Sequence, residues 1–318
     1  MRRGWTIAEL LVSVSLLGVL MLLLSATLDA TQRSLLTARE QSDTARVLAD
    51  VRQSLTQDLS RATLATYWRH AESEAAPVLE SDLHFVCGPS EMLLAGVGGV
   101  SSDAVFFQRP AAEGGLAEVL QACGFFIRYG GDERWTPGYV PVSEARQRFR
   151  LHRFHQSAAE LPLFQAQSTS LGTPRLKDAR TRQDLYAWFT TPLRFPAALA
   201  AHSTIVAENV VALFISTPQP DLNGHDSRRH QWDSTPSALP YRHRLPARLE
   251  VRLLLVDEAA WARLPASRAQ SLATRLMQLI PVARRRGSSP RQMEPLTEVL
   301  QSHGVPFHST VLSVPLRE

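Results

Sequence analysis

Hydrophobic residues are concentrated in one almost unbroken run near the start of the chain, over residues 5–28. At about 1.5 Å of rise per residue, a helix of that length crosses a hydrocarbon core of about 30 Å. The run contains a single acidic residue, Glu9. A carboxylate in such a segment costs about 2.5–3.5 kcal/mol on insertion scales, so its presence requires a function. The pattern predicts a membrane-spanning helix with a functional acid near its start.

Residues 29–68 continue the helical pattern in amphipathic form and contain neither Pro nor Gly. Apolar residues recur at spacings of three and four, which marks one face of a helix; they are Leu48, Val51, Leu55, Leu59 and Ala62. Charged residues, Asp58 among them, are assigned to the other faces. We therefore expect one continuous helix from Trp5 to near Ala65, with its second half packed against a sheet.

The pattern changes after Pro77, where short runs of Val, Phe and Ile alternate with clusters of Gly, Pro and Asp. Such runs predict strands, here over residues 83–87, 104–108, 122–129, 148–154, 205–216, 248–256 and 308–316. Helical spacing predicts shorter helices over residues 182–189, 258–279 and 292–302. Residues 218–246 are interpreted as a long surface loop and residues 284–290 as a second, basic loop. The expected fold class is α+β, with a long N-terminal helix packed on a mainly antiparallel sheet domain with extra short helices.

Two common classes of N-terminal segment account only in part for this start. A secretory signal peptide also combines basic residues with an apolar core. However, this run is longer than usual, carries Glu9 and ends without a small-x-small cleavage site. An uncleaved membrane anchor explains the length of the run, but it explains neither Glu9 nor the Gly4–Trp5 step.

The spacing Gly4-Trp5-x-x-x-Glu9, between a basic leader and an apolar helix, resembles the prepilin-type cleavage and methylation signal of type IV pilins and type II secretion pseudopilins. The resemblance implies that a prepilin peptidase cleaves after Gly4 and that Trp5 becomes the methylated first residue. It also implies that Glu9 neutralises the N-terminal amine of a neighbouring subunit, because two charges that are costly alone in lipid become tolerable as a pair.

The resemblance divides the chain into a leader (1–4), a transmembrane half-helix (5–28), an amphipathic half-helix (29–68) and a β-rich periplasmic domain (77–318). The basic residues of the leader would stay in the cytoplasm by the positive-inside bias. The implied location is therefore the inner membrane, with a single pass, a cytoplasmic N-terminus and a periplasmic C-terminal domain. The resemblance also implies that the whole subunit is later extracted from the membrane into a filament.

A second resemblance rests on the order of several hydrophobic strings: HFVCGP, AVFFQRP, ACGFFIRYG, LYAWF, ENVVALFIS, LPARLEVRLLLVDE and FHSTVLSVPLR. Together with the N-terminal signal they are similar to the Verru_Chthon cassette protein C group, which is similar to the J-type minor pseudopilins. The resemblance covers most of the chain outside the loops. It implies assembly with other pilin-like subunits rather than an enzymatic activity.

Cys87 and Cys123 are the two cysteines, and each lies beside a Gly at an end of a predicted strand. In an oxidising compartment they are candidates for a disulfide, which would be worth about 3–4 kcal/mol in the chain-entropy model. The alternative is two buried free thiols, which are common in protein cores.

Charge gives little support for a nucleic-acid partner. The formal charge of +4 includes two leader arginines, so we expect no nucleic acid to bind. Aromatic residues beside arginines, as at Phe125, Phe126 and Trp135, could stack on single-stranded DNA, but sheet core and turn packing are the simpler roles. The triplet 284–286 is interpreted as a solvated loop or a contact to lipid headgroups.

Residues arranged for catalysis or metal binding are scarce. His152 and His155 would point to opposite faces of a strand, which makes them a poor metal pair. Oxygen ligands at Asp221, Asn223 and Asp226 resemble a calcium loop only faintly, because the glycine and final glutamate of an EF-hand are missing. We therefore expect no enzymatic activity, no cofactor and no metal.

The expected function is that of a minor pilin or pseudopilin, cleaved after Gly4 and incorporated in or at the tip of a type IV pilus or type II secretion pseudopilus-like filament. A bulky non-helical domain suits a low-copy position. The alternative is a membrane-anchored periplasmic binding module with an uncleaved signal anchor.

Overall fold

The computed structural model describes residues 7–69, 77–81, 83–111, 120–131, 147–157, 196–220, 226–229, 231–234, 243–287 and 290–316. By its internal contacts the chain divides into two compact units, Met1–Val47 and Leu48–Glu318. Helix α1, Ile7–Leu59, provides the described part of the first unit and the first residues of the second. The predicted helix at 182–189 lies outside the described residues.

The first unit consists of the apolar part of α1. Residues Leu10–Gln32 have a mean hydropathy of 2.4, and none of their most apolar stretch is buried within the chain. The large apolar side chains from Leu10 to Leu28 are between 54% and 72% exposed. Among the described residues this is the one helix long and apolar enough to cross a membrane, as the sequence predicts.

In the second unit, the end of α1 supplies a buried apolar stripe, and Val51, Leu55 and Leu59 are fully buried. The helix ends at Leu59 and not near Ala65 as predicted. The reason is that the chain turns to follow the sheet, where the Thr63 N–H donates to the Gln108 carbonyl at 3.0 Å. Ala62 is still buried, but it lies beyond the helix.

Twelve strands are present in the described residues, and all their pairings are antiparallel. They are β1 (Tyr67–Arg69), β2 (Val78–Glu80), β3 (Val86–Pro89), β4 (Val100–Pro110), β5 (Leu120–Gly130), β6 (Arg148–Gln156), β7 (Ser203–Glu208), β8 (Val210–Pro220), β9 (Asp226–Arg229), β10 (Trp232–Asp233), β11 (Arg248–Val256) and β12 (Phe307–Pro315). The α+β class is confirmed. The predicted helix over 29–68 is wrong at its end, because β1 begins there and pairs with β2.

The strands form a six-stranded sheet in the order β10-β3-β4-β5-β6-β7, a four-stranded sheet in the order β12-β11-β8-β9, and the β1–β2 pair. The predicted strand at 205–216 is divided into β7 and β8 at Asn209, whose φ is +61°. The Asn209 N–H donates to Phe149 O of β6, and its carbonyl accepts from Val256 N–H of β11. This residue therefore carries the chain from one sheet to the other.

The remaining helices are α2 (Ser90–Leu93), α3 (Pro196–Ala201), α4 (Glu258–Ala262), α5 (Ala266–Arg285), a 3₁₀ turn (Pro290–Met293) and α6 (Glu294–Ser302). The single predicted helix at 258–279 is two helices. Asp257 caps α4 by accepting a hydrogen bond from the Ala260 N–H at 2.7 Å, and Pro265 precedes the first residue of α5.

Described residues of both predicted loops belong to strands or helices. Residues 218–246 contain the end of β8, strands β9 and β10, and Trp232, which is 3% exposed. The Trp232 side-chain N–H donates to the Arg244 carbonyl at 3.0 Å, so this part of the segment belongs to the core. Arg284 and Arg285 form the last turn of α5 rather than a loop.

Both faces of the six-stranded sheet are packed against apolar cores. Since side chains alternate along each strand, neighbouring residues of one strand face different cores. On β4, Val105 and Phe107 belong to the main core, which also contains the end of α1, the four-stranded sheet, α5 and α6. Ala104 and Phe106 face a smaller core with Phe126 and other apolar residues. The hydrophobic strings in the sequence are therefore buried strands.

Candidate functional site

The predicted processing residues Gly4 and Trp5 lie outside the described residues. Glu9 lies in the first turns of α1, and its side chain is also outside what the structure describes. The helix that follows them can therefore be characterised, while the roles of these three residues stay predictions.

Two hydroxyl groups within the apolar helix, those of Ser15 and Thr27, are hydrogen-bonded to the helix itself. The Ser15 hydroxyl donates to Leu11 O at 2.9 Å, and the Thr27 hydroxyl donates to Leu24 O at 2.8 Å. A polar group in lipid must be satisfied internally, and back-bonding to the preceding turn achieves this. These side chains are therefore compatible with a hydrocarbon environment.

The end of α1 is fixed to the six-stranded sheet by a buried ionic cluster, the Asp58 cluster, which consists of Asp58, Arg109 and Arg153. Asp58 is 3% exposed and Arg109 is 6% exposed. Arg109 Nη1 donates to Asp58 Oδ1 at 2.6 Å, and Arg153 Nε lies 2.7 Å from Asp58 Oδ2. One carboxylate thus joins the helix to β4 and β6 through two guanidinium groups.

Cys123 on β5 extends this cluster, since Arg109 Nε donates to its Sγ at 3.1 Å. Burial raises the pKa of the Cys123 thiol despite the positive charge of Arg109. The thiol is therefore protonated at neutral pH and accepts a hydrogen bond as a neutral group. A protonated, buried thiol is a poor nucleophile.

A second ionic cluster, the Arg284 cluster, joins α5 to β4 and α2 and consists of Arg284, Glu91, Asp103 and Ser102. Arg284 donates through Nε to Asp103 Oδ1 at 2.7 Å, through Nη1 to Glu91 Oε1 at 2.6 Å and through Nη2 to Ser102 O at 2.7 Å. Burial opposes its charge, but the carboxylates of Glu91 and Asp103 raise the pKa of Arg284. The interpretation of residues 284–286 as a wholly solvated loop is therefore wrong for Arg284.

The same cluster covers an edge of the four-stranded sheet. A register shift in β4 lies between Ser101 and Val105, and Ser102 has a φ of +71°. The Ser102 hydroxyl accepts from Leu213 N–H at 2.7 Å, and Asp103 Oδ2 accepts from Ile215 N–H at 2.9 Å. The bulge thus aims two side chains at backbone donors of β8 that β9 does not reach.

A groove of about 660 Å³ lies beside the Arg284 cluster. It is lined by apolar residues of β3, α2 and β10 together with Arg284 and Arg285: Val86, Pro89, Met92, Leu93 and Trp232 are among them. Met92 is 65% exposed. The groove combines an apolar wall with a charged rim, to which Asp233 contributes as well as the two arginines.

Cys87 and Cys123 are free and buried, so the candidate disulfide is not formed. Cys87 on β3 pairs with Val105, and Cys123 on β5 pairs with Phe107, so strand β4 lies between them. Two strand spacings separate their backbones by at least about 9.4 Å, whereas a disulfide needs Cα atoms about 4.4–6.8 Å apart. Sequence spacing could not show that a strand intervenes.

The residues considered for metal binding do not form a site where the structure describes them. His152 stacks on Phe126 with ring centroids 5.1 Å apart, which is a core contact. No group of three His, Cys, Asp or Glu side chains suited to a metal ion occurs among the described residues. The candidate calcium ligands Asp221 and Asn223 lie outside them.

His152 should make the fold sensitive to acid. Burial, followed by repulsion from Arg128 and Arg150, lowers the pKa of His152 to about 4, against about 6.5 for an unperturbed histidine. The unfolded chain binds this proton more tightly than the folded chain does. The contribution of neutral His152 to the free energy of unfolding is therefore complete above pH 6.5 and is lost as the pH falls towards 4. The loss should approach about 3 kcal/mol.

Urea unfolding of the full chain in detergent at several pH values measures this effect. The variant His152→Phe should lose much of the slope between pH 6.5 and 4, while His308→Gln, on β12, serves as a matched control. An unchanged slope in His152→Phe would contradict the assignment.

The two ionic clusters were not predicted, and only one left a signal in the sequence. Asp58 lies three residues after Leu55 and seven after Val51, so it shares the apolar face of α1. A lone acid on such a face indicates a buried ion pair. Arg284 meets Glu91 and Asp103 across 193 and 181 residues, which no local pattern reveals.

No family model matches this chain, and comparison with curated proteins and with solved structures yields no match either.

Proposed function

We propose that this chain is a minor pilin or pseudopilin subunit. In this proposal it is cleaved after Gly4 by a prepilin peptidase and assembled into or at the tip of a filament of the type IV pilus or type II secretion class. The supporting observation is that the signal-like residues Gly4, Trp5 and Glu9 run directly into a helix, Leu10–Gln32, whose apolar side chains the chain itself does not bury. Such a surface fits lipid first and neighbouring helices later.

The globular unit supports the same proposal. Its α1 residues, 48–59, are fixed to a sheet by buried apolar contacts and by the Asp58 cluster. A subunit that is extracted from a membrane by its helix needs this joint to withstand the transfer. Separating the buried partners would leave uncompensated charges inside the protein, which is strongly destabilising. In this proposal the globular unit is periplasmic and the N-terminus cytoplasmic before processing.

The intact mass of the full-length protein tests the proposal, after expression with and without a prepilin peptidase. We expect a chain beginning at Trp5 only when the peptidase is present. Gly4→Val should remain uncleaved, because a side chain at the scissile position obstructs close approach to the backbone. The matched control is Gly18→Val, since a Cβ added at Gly18 meets nothing within 4 Å. A wild-type chain that begins at Met1, or near Ala26, in the presence of the peptidase would overturn the proposal.

One observation favours the alternative of an anchored binding module, namely the groove beside Met92 and Trp232. Apolar walls with a few polar groups are typical of small-molecule sites. The same mass measurement separates the two functions, because an uncleaved anchor retains Met1.

A further inference from the structure

Strand β12 forms one edge of the four-stranded sheet. Its pairing with β11 runs without a register shift from Phe307, opposite Val256, to Pro315, opposite Arg248. Within the described part of the chain, no strand pairs with the other side of β12. We call this unpaired side of residues Phe307–Pro315 the β12 edge.

Hydrogen bonds at the two ends of the ladder identify the backbone groups on the β12 edge. The Leu316 N–H donates to Ala247 O at 3.1 Å, and the Asp257 N–H donates to Pro306 O at 3.0 Å. Residues of an antiparallel ladder alternate between bonding their partner strand and pointing away from it. The odd-numbered residues therefore direct their N–H and C=O groups outward; those with both groups are Phe307, Ser309, Val311 and Ser313.

Protein chains normally protect an exposed edge with charged side chains, bulges or Pro. The β12 sequence FHSTVLSVP contains no charged residue, and its Pro is at the last position. Val311, at the centre, is 53% exposed. On the other side of the same sheet, the side chains of Ser102 and Asp103 cover the part of β8 that β9 does not reach. The fold therefore protects the edge at β8 and leaves the edge at β12 accessible to another strand.

We propose that the β12 edge binds the β12 edge of a second copy of this chain, as an antiparallel pair centred on Val311. Two of the outward-pointing residues, Ser309 and Ser313, lie symmetrically about this position. A two-fold axis there places Val311 opposite Val311 of the second copy and Ser309 opposite Ser313 of the second copy. Identical surfaces meet in such an interface, and no like charges face each other.

The neighbouring strand adds no electrostatic obstacle. Arg252 and Glu250 of β11 lie opposite Val311 and Ser313, and they form an ion pair at 3.5 Å. The two sheets would join into one continuous sheet of eight strands, counted from the four in each copy. A two-fold contact is closed and does not propagate, which suits a low-copy subunit. The inference does not depend on cleavage at Gly4.

Cysteine cross-linking of the full-length protein in membranes tests the pairing and its register. Hydrogen-bonded antiparallel pairs have Cα atoms about 5.5 Å apart, within disulfide range. Val311→Cys should therefore give a covalent dimer under mild oxidation. The native Cys87 and Cys123 are 2% and 0% exposed, so the wild-type chain should remain monomeric on the gel.

The register supplies a matched control. Ser309→Cys alone should give at least about tenfold less dimer, because the two cysteines would lie about 13 Å apart along the strands. Co-expression of Ser309→Cys with Ser313→Cys should restore cross-linking. Equal yields from Val311→Cys and Ser309→Cys, no dimer from Val311→Cys, or cross-linking only to a different protein would each overturn the proposal.

Two further variants test the pairing without cross-linking, by sedimentation of the detergent-solubilised full chain. Val311→Thr keeps strand propensity and should remain dimeric. Val311→Asp places two like charges opposite each other at the axis and should be monomeric. Identical sedimentation of the two variants would overturn the pairing.

Discussion

Replacing Asp58 with alanine should lower the free energy of unfolding by about 3–5 kcal/mol, because it leaves the buried Arg109 and the partly exposed Arg153 without their carboxylate. Arg109 is 6% exposed and donates a 2.6 Å hydrogen bond to the Asp58 carboxylate of the helix. Arg153 loses its 2.7 Å partner at the same time. Since a domain is stable by only about 5–15 kcal/mol, the globular unit should lose a large part of its stability.

Urea unfolding of the full-length protein in detergent measures this loss. Asp50→Ala is the matched control, because Asp50 is on the same helix in the same unit and is exposed. It should change the free energy of unfolding by less than about 0.5 kcal/mol. A loss of that small size in Asp58→Ala would contradict the assignment of a buried ionic joint.

A double-mutant cycle separates the value of the contact from the penalty of breaking it. Adding Arg109→Leu to Asp58→Ala removes a charge that the single variant leaves unpaired. The double variant should therefore be less destabilised than the sum of the two single variants, with a coupling in the range of about 0.5–3 kcal/mol. Strict additivity would indicate that Asp58 and Arg109 do not interact in solution.

The periodic parts of the fold could be predicted because their burial is local in sequence. The apolar run over residues 5–28 predicts the helix that Leu10–Gln32 forms. The longer buried strands are predicted by their apolar runs, as at Val105 and Phe107. Alternation on two faces needs no knowledge of the partner strand, so the α+β class follows from pattern alone.

The predictions from sequence are wrong where contacts with distant segments override a local pattern. Residues 67–69 follow a helical sequence, but they pair with β2. A single apolar run contains both β7 and β8, because Asn209 bonds to a strand of each sheet. Trp232 lies in a polar, Pro-rich segment and is nevertheless buried. Only tertiary contacts decide these positions, and the same holds for the partners of Arg284.

The alanine variant of Glu9 should reach the membrane with a folded globular unit but should enter filaments roughly a hundredfold less than wild type. If Glu9 pairs with the N-terminal amine of a neighbouring subunit, its removal leaves a cation unpaired among apolar helices. An unpaired charge there costs about 2.5–3.5 kcal/mol, and each 1.4 kcal/mol is a factor of ten in an equilibrium. Immunoblotting of the sheared filament fraction against the membrane fraction measures the ratio.

Conservative and matched variants distinguish charge pairing from a general effect on the helix. Glu9→Gln keeps size and hydrogen-bonding capacity and should fail like Glu9→Ala, while Glu9→Asp should retain part of the assembly. Ser15→Ala is the control in the same span, because the Ser15 hydroxyl donates to carbonyls of its own helix, Leu11 and Val12. Its assembly should equal that of wild type. Normal assembly of Glu9→Gln would show that charge is not required, and the role of Glu9 would then reduce to packing at the start of α1.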